Sequence, residues 1–358
     1  MSDLKERLLK SSVNKLTASL DKSKLFNEKD QIKTRVPIIN LALSGAFDGG
    51  LTSGLTVLAG PSKHFKSNLS LVMVSAYMKK YPDAICLFFD SEFGTTGDYL
   101  RSMGVNPERV VHTPIQDIEQ LKFDMVNQLE SIDRKDKVII FIDSIGNTAS
   151  KKELEDAKNE KSVTDMTRAK QVKSLFRMIT PYLTTKDIPC IAVAHTYETQ
   201  EMFSKQVVSG GTGIMYSADT VMIIGRRQIK EGTEITGYEF VLNIEKSRYV
   251  KEKSKLPLSV TFDGGINMYS GLLDLALDLG YAIKPKNGWY QPCYLDEETG
   301  ELSPDESKSW RAKDTECLTF WKPLFSHEPF KAAVTQRYKL GAIAFDQEAM
   351  DAEVAELI

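Results

Sequence analysis

Short runs of aliphatic and β-branched residues alternate along this chain with longer stretches of helical period. Seven runs read as strands: LTVLA (55–59), AICLFFD (84–90), VIIFID (138–143), CIAVAH (190–195), TVMIIG (220–225), YEFVLNIE (238–245) and LPLSVTF (256–262). Segments 66–80, 117–132 and 165–184 carry helix periodicity. Apolar strands separated by helices predict a mostly parallel sheet covered by helices. The EGTEITG turn between the fifth and sixth runs predicts an antiparallel hairpin at the far edge of that sheet.

At the start, Leu4, Leu8, Val13, Leu16 and Leu20 recur near helical spacing among Lys5, Arg7, Lys10 and Lys15, which predicts a basic amphipathic helix able to dock on a neighbour. Past Gly264 the pattern changes. Trp289, Trp310 and Trp321 all fall there, around a polar stretch DEETGELSPDESKS, and a small C-terminal domain is the simplest account. The end, AFDQEAMDAEVAELI, carries five acids and no base, as a solvated helix or as a tail competing for basic surface.

Composition narrows the class. With 358 residues, 42% hydrophobic and 27% charged, the chain can bury a full core and hold more than one domain. A formal net charge of −3 gives no global pull toward nucleic acid, so such binding would come from local clusters or from repetition in an assembly. Cys86, Cys190, Cys293 and Cys317 lie far apart, without the paired spacing of a zinc site, and fit a reducing compartment. The N-terminus lacks the unbroken apolar core of a secretory signal, and no later stretch is long enough to span a bilayer. The expectation is a cytoplasmic protein with no membrane partner.

The chemistry concentrates at strand ends. Gly60-Pro61-Ser62-Lys63-His64-Phe65-Lys66-Ser67 and the following Asn68 lie between the LTVLA strand and a helical run. This matches a phosphate-binding loop, the alternative being a chance turn: backbone N–H groups and the helix N-terminus would face the phosphates, Lys66 would reach the terminal ones, and the Ser67 hydroxyl would bind Mg²⁺. One position departs from the motif, because Phe65 stands where glycine is usual, and its side chain is expected to restrict the loop and crowd the phosphates. VIIFID ends in Asp143, placed to join the metal shell. After AICLFFD comes Glu92, a candidate to activate water; Asp90 and Glu92 could equally cap the next helix. His195, ending CIAVAH, is either a γ-phosphate contact or a satisfied polar residue.

Two long stretches, 146–164 and 197–216, lack core periodicity. The first is rich in Lys and Glu, including Lys158 and Lys161; the second holds Lys205 and Gly210-Gly211-Thr212-Gly213, whose amides suit close approach to phosphate. They are flexible linkers or loops that a nucleotide orders. Lys246 and Arg248 alternate at the end of the sixth run. They form a solvated edge, or they project from one face toward a γ-phosphate held by a neighbouring subunit.

The order of these features over roughly residues 35–290 resembles the RecA recombinase family. Gly49-Gly50-Leu51, the loop beginning Gly60-Pro61, Asp90-Ser91-Glu92, Tyr99, Asp143-Ser144, the Gly-Gly-Thr-Gly loop, Lys246-Ser247-Arg248, Gly265-Ile266-Asn267 and Gly288-Trp289-Tyr290 occur in family order. The form of the phosphate loop looks especially like the phage UvsX branch, and that resemblance implies that Phe65 is a feature of the branch. The resemblance implies an α/β fold: a RecA-type P-loop ATPase core (35–264) with a mostly parallel central sheet, an N-terminal helical protomer-contact segment (1–34) and a small C-terminal α/β domain (265–358). It implies ATP and Mg²⁺ as cofactors, Tyr99 stacking on the nucleoside, and Glu92, Lys66 and His195 at the reacting phosphate, with Lys246 and Arg248 acting in trans. It further implies DNA-contacting loops around 156–166 and 199–213, with Lys170 and Arg177 on the following helix reaching phosphates. Implied partners are single- and double-stranded DNA, copies of the chain in a helical homo-oligomer, a single-strand-binding protein and a recombination mediator. A ring-shaped helicase and a non-catalytic filament remain alternatives from the residues alone.

Overall fold

The computed structural model describes residues 2–23, 25, 29–159, 167–198, 206–296 and 299–341. In chain order the elements are α1 (Ser2–Ser11), α2 (Pro37–Ser44), β1 (Gly54–Ala59), α3 (Lys66–Lys80), β2 (Ile85–Asp90), α4 (Gly97–Ser102), β3 (Val110–Pro114), α5 (Ile118–Glu130) and β4 (Val138–Asp143). Next come α6 (Lys151–Lys158), α7 (Thr167–Thr185), β5 (Pro189–Ala194), β6 (Thr196–Glu198), β7 (Gln206–Val208), α8 (Thr212–Ser217), β8 (Thr220–Glu231), β9 (Glu234–Ser247), β10 (Lys255–Thr261) and β11 (Gly265–Ile266). The chain continues with α9 (Leu272–Asp278), β12 (Ala282–Lys286), β13 (Trp289–Leu295), β14 (Leu302–Pro304), β15 (Trp310–Arg311), α10 (Leu318–Ser326) and α11 (Glu328–Tyr338).

The main sheet has nine strands in the order β11-β10-β9-β8-β1-β5-β4-β2-β3. From β8 to β3 every pair is parallel, whereas β8, β9, β10 and β11 pair antiparallel. The expected hairpin is therefore β8–β9, but β10 and β11 lie outside it, so it is not the sheet's edge. Period-two alternation divides each central strand between two cores. On β4, Ile139 and Phe141 join a cluster with α2 and α3, while Ile140 and Ile142 join one with α5 and α7. That double burial explains why these strands read as continuous apolar runs.

Residues past Gly264 build a four-stranded sheet from β12, β13, β14 and β15. Trp321, Phe320 and Phe330 pack into the same cluster as α2 and α3, so this sheet's support is continuous with the core.

The N-terminal helix is shorter than its apolar spacing predicts. It stops at Ser11, where Ser12 accepts from the amide of Asn14 and Asn14 accepts from the amide of Leu16. Such local bonds offer the backbone an alternative to helix, and Val13, Leu16 and Leu20 consequently leave the helical face. Within the expected protomer-contact segment, residues 24 and 26–28 lie outside the described residues, as does the acidic tail from residue 342.

Candidate active site

The C-terminal ends of four neighbouring strands, β1, β5, β4 and β2, meet at one edge of the sheet, with Asp90 and Asp143 in register. That edge is where open parallel sheets gather ligands. The loop 60–65 rises from β1 and enters α3, whose first residue is Lys66. Lys66 is buried and its ammonium donates to the Pro61 carbonyl at 2.7 Å. Burial lowers its pKa, against the opposing pull of the Asp143 and Glu92 carboxylates.

Beside it, the Ser67 side chain hydrogen-bonds Asp143. Burial drives the Asp143 carboxyl up to about 6; nearby Glu92 and Asp90 push the same way, while Ser67 and Lys66 resist. A buried carboxyl whose pKa is raised by desolvation, paired with a hydroxyl, has the hard-oxygen chemistry that suits Mg²⁺.

Phe65 does not crowd this cluster. Its backbone takes the left-handed conformation (φ 61°), and its ring stacks on Phe240 of β9, centroids 4.9 Å apart. With Asn68, Val72, Ser102, Met103 and Ile266 it lines a cavity of about 840 Å³ beside the loop. Tyr99, on α4, is partly buried beside Asn68; burial raises its phenol pKa, and the hydrogen bond to Asn68 has the opposite effect. Tyr99 and Asn68, both expected at a nucleotide, thus sit together.

Glu92 is set by a turn that Asp90 organises. The Asp90 carboxylate accepts from the amides of Glu92 (3.0 Å) and Phe93 (2.8 Å), and its other oxygen meets His112 Nε2 at 3.1 Å. Helix α4 is capped by Thr96, so neither Asp90 nor Glu92 serves as its cap. Ser91 and Ser144 lace the ends of β2 and β4 together, Ser91 Oγ donating to the Ser144 carbonyl at 2.7 Å and accepting from its amide at 3.1 Å. The Asp143–Ser144 peptide is cis. Ser144 Oγ then donates to Glu92 Oε1 at 2.6 Å, and His195 Nε2 meets the same oxygen at 3.1 Å. Burial raises the Glu92 pKa, but the Ser144 and His195 bonds and the charges of His195 and Lys66 outweigh it and hold the carboxyl below its ordinary value. His195 is seated by Gly146, where an added Cβ would fall 2.2 Å from the imidazole Cδ2.

The two long stretches leave from this cluster, and their described residues are not structureless. Stretch 146–164 contains α6, opened by a capping box of Ser150 and Glu153, with Lys158 exposed in its last turn. In stretch 197–216 the described residues pair β6 with β7 antiparallel and continue into α8; the β6–β7 pair closes directly on His195, whose carbonyl accepts from the Ser209 amide at 2.7 Å. Gly210 and Gly211 have positive φ, and an added Cβ at Gly213 would fall 2.6 Å from Lys173 Cβ, so this turn packs tightly on α7. Thr212 is the first residue of α8. Lys170, Lys173 and Arg177 are exposed along one face of α7. Lys161 and Lys205 lie outside the described residues.

Lys246 and Arg248 do not form a free pair on one strand face. A bulge falls beside Lys246, β9 ends at Ser247, and Arg248 lies beyond it, paired with Asp219 at 2.9 Å. Lys246 Nζ donates to the carbonyls of Met215 (2.6 Å) and Ala218 (2.8 Å), closing the C-terminus of α8. Burial and the Arg248 charge lower its pKa.

The profile of the RecA N-terminal domain matches residues 7–267. The chain belongs to the RecA family. A second profile, the C-terminal domain of the bacteriophage T4 recombination and repair protein, matches residues 269–334. The T4 recombination and repair protein is 66% identical over the full chain and 91% of its own length. RecA of Tropheryma whipplei is 27% identical over 74% of this chain and 60% of that protein, and RecA of Pseudomonas fluorescens 24% identical over 86% and 87%.

On this RecA fold several site residues escape sequence reasoning. His112 lies on β3, an edge strand too short and too exposed to register as a run. Arg168 gathers the carbonyls of Ile145, Gly146 and Thr148 at 2.6–3.0 Å. Asp219 holds both Arg248 and the Leu55 amide. None of these carries a motif; only partners distant in sequence reveal them. Among the described residues no helix is long and apolar enough to cross a membrane.

Proposed function

We propose that this RecA-family chain is a DNA-dependent ATPase that forms helical filaments on single-stranded DNA and catalyses homologous pairing and strand exchange in recombination, repair and recombination-dependent replication. The observation that carries this reading is that the Ser67–Asp143 pair, Lys66 and Glu92 cluster at the strand ends from which both long stretches depart. Loop amides and Lys66 would hold the triphosphate, with the base toward Tyr99 and the adjoining cavity. Mg²⁺ held by Ser67 and Asp143 would neutralise phosphate charge. Both bonds to Glu92 fall on Oε1, which leaves Oε2 to take a proton from the attacking water. His195 joins Glu92 to the base of the β6–β7 hairpin, so that loss of the terminal phosphate would loosen the grip on DNA.

On the DNA side, the α7 stripe and the glycine turn would contact phosphate and sugar, with sequence read by base pairing. In the filament Lys246 and Arg248 would turn to a neighbour's ATP, which requires them to release the α8 carbonyls and Asp219. A single-strand-binding protein and a loading mediator are the expected partners, in the cytoplasm of an infected host. The test is ATPase with and without single-stranded DNA, followed by pairing of a homologous strand with duplex and electron microscopy with a non-hydrolysable ATP analogue. Stimulated turnover, homology-dependent exchange and filaments are expected. Rings that unwind a forked duplex without homology would replace this reading with a helicase.

A further inference from the structure

The phosphate loop holds two non-glycine residues in the left-handed region, Lys63 (φ 60°) and Phe65 (φ 61°). L side chains persist there only where surroundings over-determine the backbone. Here the surroundings are one hairpin, β8–β9, which meets the loop at three successive points. At Gly60 an added Cβ would lie 3.0 Å from the Ile224 carbonyl, so the loop begins flush against β8. At Lys63 the carbonyl accepts from Arg226 Nη1 at 3.0 Å. At Phe65 the ring stacks on Phe240, at 19° between planes.

These supports reinforce one another. Arg226 and Phe240 are direct partners across the β8–β9 ladder. The Arg226 guanidinium lies 4.8 Å from the centroid of Tyr238, which limits where that long side chain can point, and Tyr238 in turn sits beside Phe240. Arg226 is exposed, so its order comes from these contacts rather than from burial.

We propose that the β8–β9 hairpin braces the phosphate loop through Arg226 and the Phe65–Phe240 stack, supplying the rigidity that a flexible glycine at position 65 would not, so that Arg226 is a positioning residue for nucleotide binding. This rests on the reading of 60–67 as a nucleotide site. A loop already held in its binding shape loses less freedom when the nucleotide arrives, so the brace acts on affinity more than on turnover. Phe65 also lines the 840 Å³ cavity, so the same stack fixes one wall of the space next to the loop.

The test is equilibrium binding of a fluorescent ATP analogue with Mg²⁺ to the full chain, with steady-state ATPase and thermal unfolding of each nucleotide-free variant. Arg226→Gln should bind about fivefold more weakly, the scale of one hydrogen bond, and raise KM more than it lowers kcat. Arg226→Lys, which can still donate to the Lys63 carbonyl, should recover most of the loss. Phe240→Leu should weaken binding by about threefold in the wild-type background and add little to Phe65→Gly, because the partner ring is already gone. Wild-type affinity in Arg226→Gln, or full additivity of Phe240→Leu with Phe65→Gly, would overturn the brace while leaving the nucleotide site intact. Absence of binding by the wild-type chain would instead overturn the nucleotide reading, and the brace with it.

Discussion

Replacing Asp143 with asparagine should make the metal-free protein more stable. In the unfolded chain this carboxyl titrates near 3.8, whereas burial raises it to about 6 in the fold. Because the folded carboxyl holds its proton more tightly, the native state binds more protons than the unfolded state between those values, and stability falls as pH rises through that window. The ionised group therefore opposes folding at neutral pH. At 1.36 kcal/mol per pH unit of displacement, the penalty is about 3 kcal/mol at pH 7 and about 1.6 kcal/mol at pH 5, and it fades toward zero below 4. Asparagine has the same shape, keeps an acceptor for Ser67 and carries no charge. Urea unfolding in EDTA should give Asp143→Asn an advantage approaching that figure at pH 7.5, shrinking by about half at pH 5. Thermal unfolding should move by only about 4 °C, since a chain of 358 residues has a large unfolding entropy. Mg²⁺ and ATP should reverse the order, because only the wild-type carboxylate gains from the cation. A variant no more stable than wild type at neutral pH, or an advantage that ignores pH, would refute this account of the site's electrostatics.

Glu92→Gln should lower DNA-stimulated ATP turnover by at least about 100-fold while the variant still binds DNA with ATP; undiminished turnover would remove Glu92 from the chemistry. Gly146→Ala should displace the imidazole of His195, since its Cβ would lie 2.2 Å from Cδ2. The expected readout is changed protease sensitivity of the β6–β7 hairpin together with about tenfold slower turnover. Substituting Lys170, Lys173 and Arg177 by glutamine should reduce the salt dependence of single-strand affinity by about 0.7 in log–log slope per lost phosphate contact, and an unchanged slope would move the DNA path off α7.

The parts of the site that sequence revealed are those whose chemistry is local. The strand-loop-helix around Lys66 and the carboxylates ending β2 and β4 each announce themselves within about ten residues. Burial on both faces also made the parallel strands conspicuous. Helix α2 is not legible because PIINLALS is short and buried on every side, its residues 38–44, the polar Asn40 and Ser44 included, being all buried, so no polar face marks a period. Strand β3 failed for the opposite reason, being short and largely exposed. What accommodates Phe65 has no local signature, because the compensating ring lies 175 residues downstream, the difference between positions 65 and 240. Sequence leaves Lys246 and Arg248 either on a solvated edge or on one face of a continuing strand; a bulge and the end of β9 redirect them, and neither feature has a signature in KSR.

Arg168 ties a knot in the backbone. One guanidinium gathers three carbonyls within five residues of Asp143, the end of β4, so the chain leaving β4 is lashed to the first turn of α7 as far as Thr148. Slack in the first of the two proposed DNA-contacting loops can begin only beyond that point. A tug on α7 from a bound strand would therefore arrive at Gly146, directly beneath the imidazole that holds Glu92, without having to pass through the loop at all.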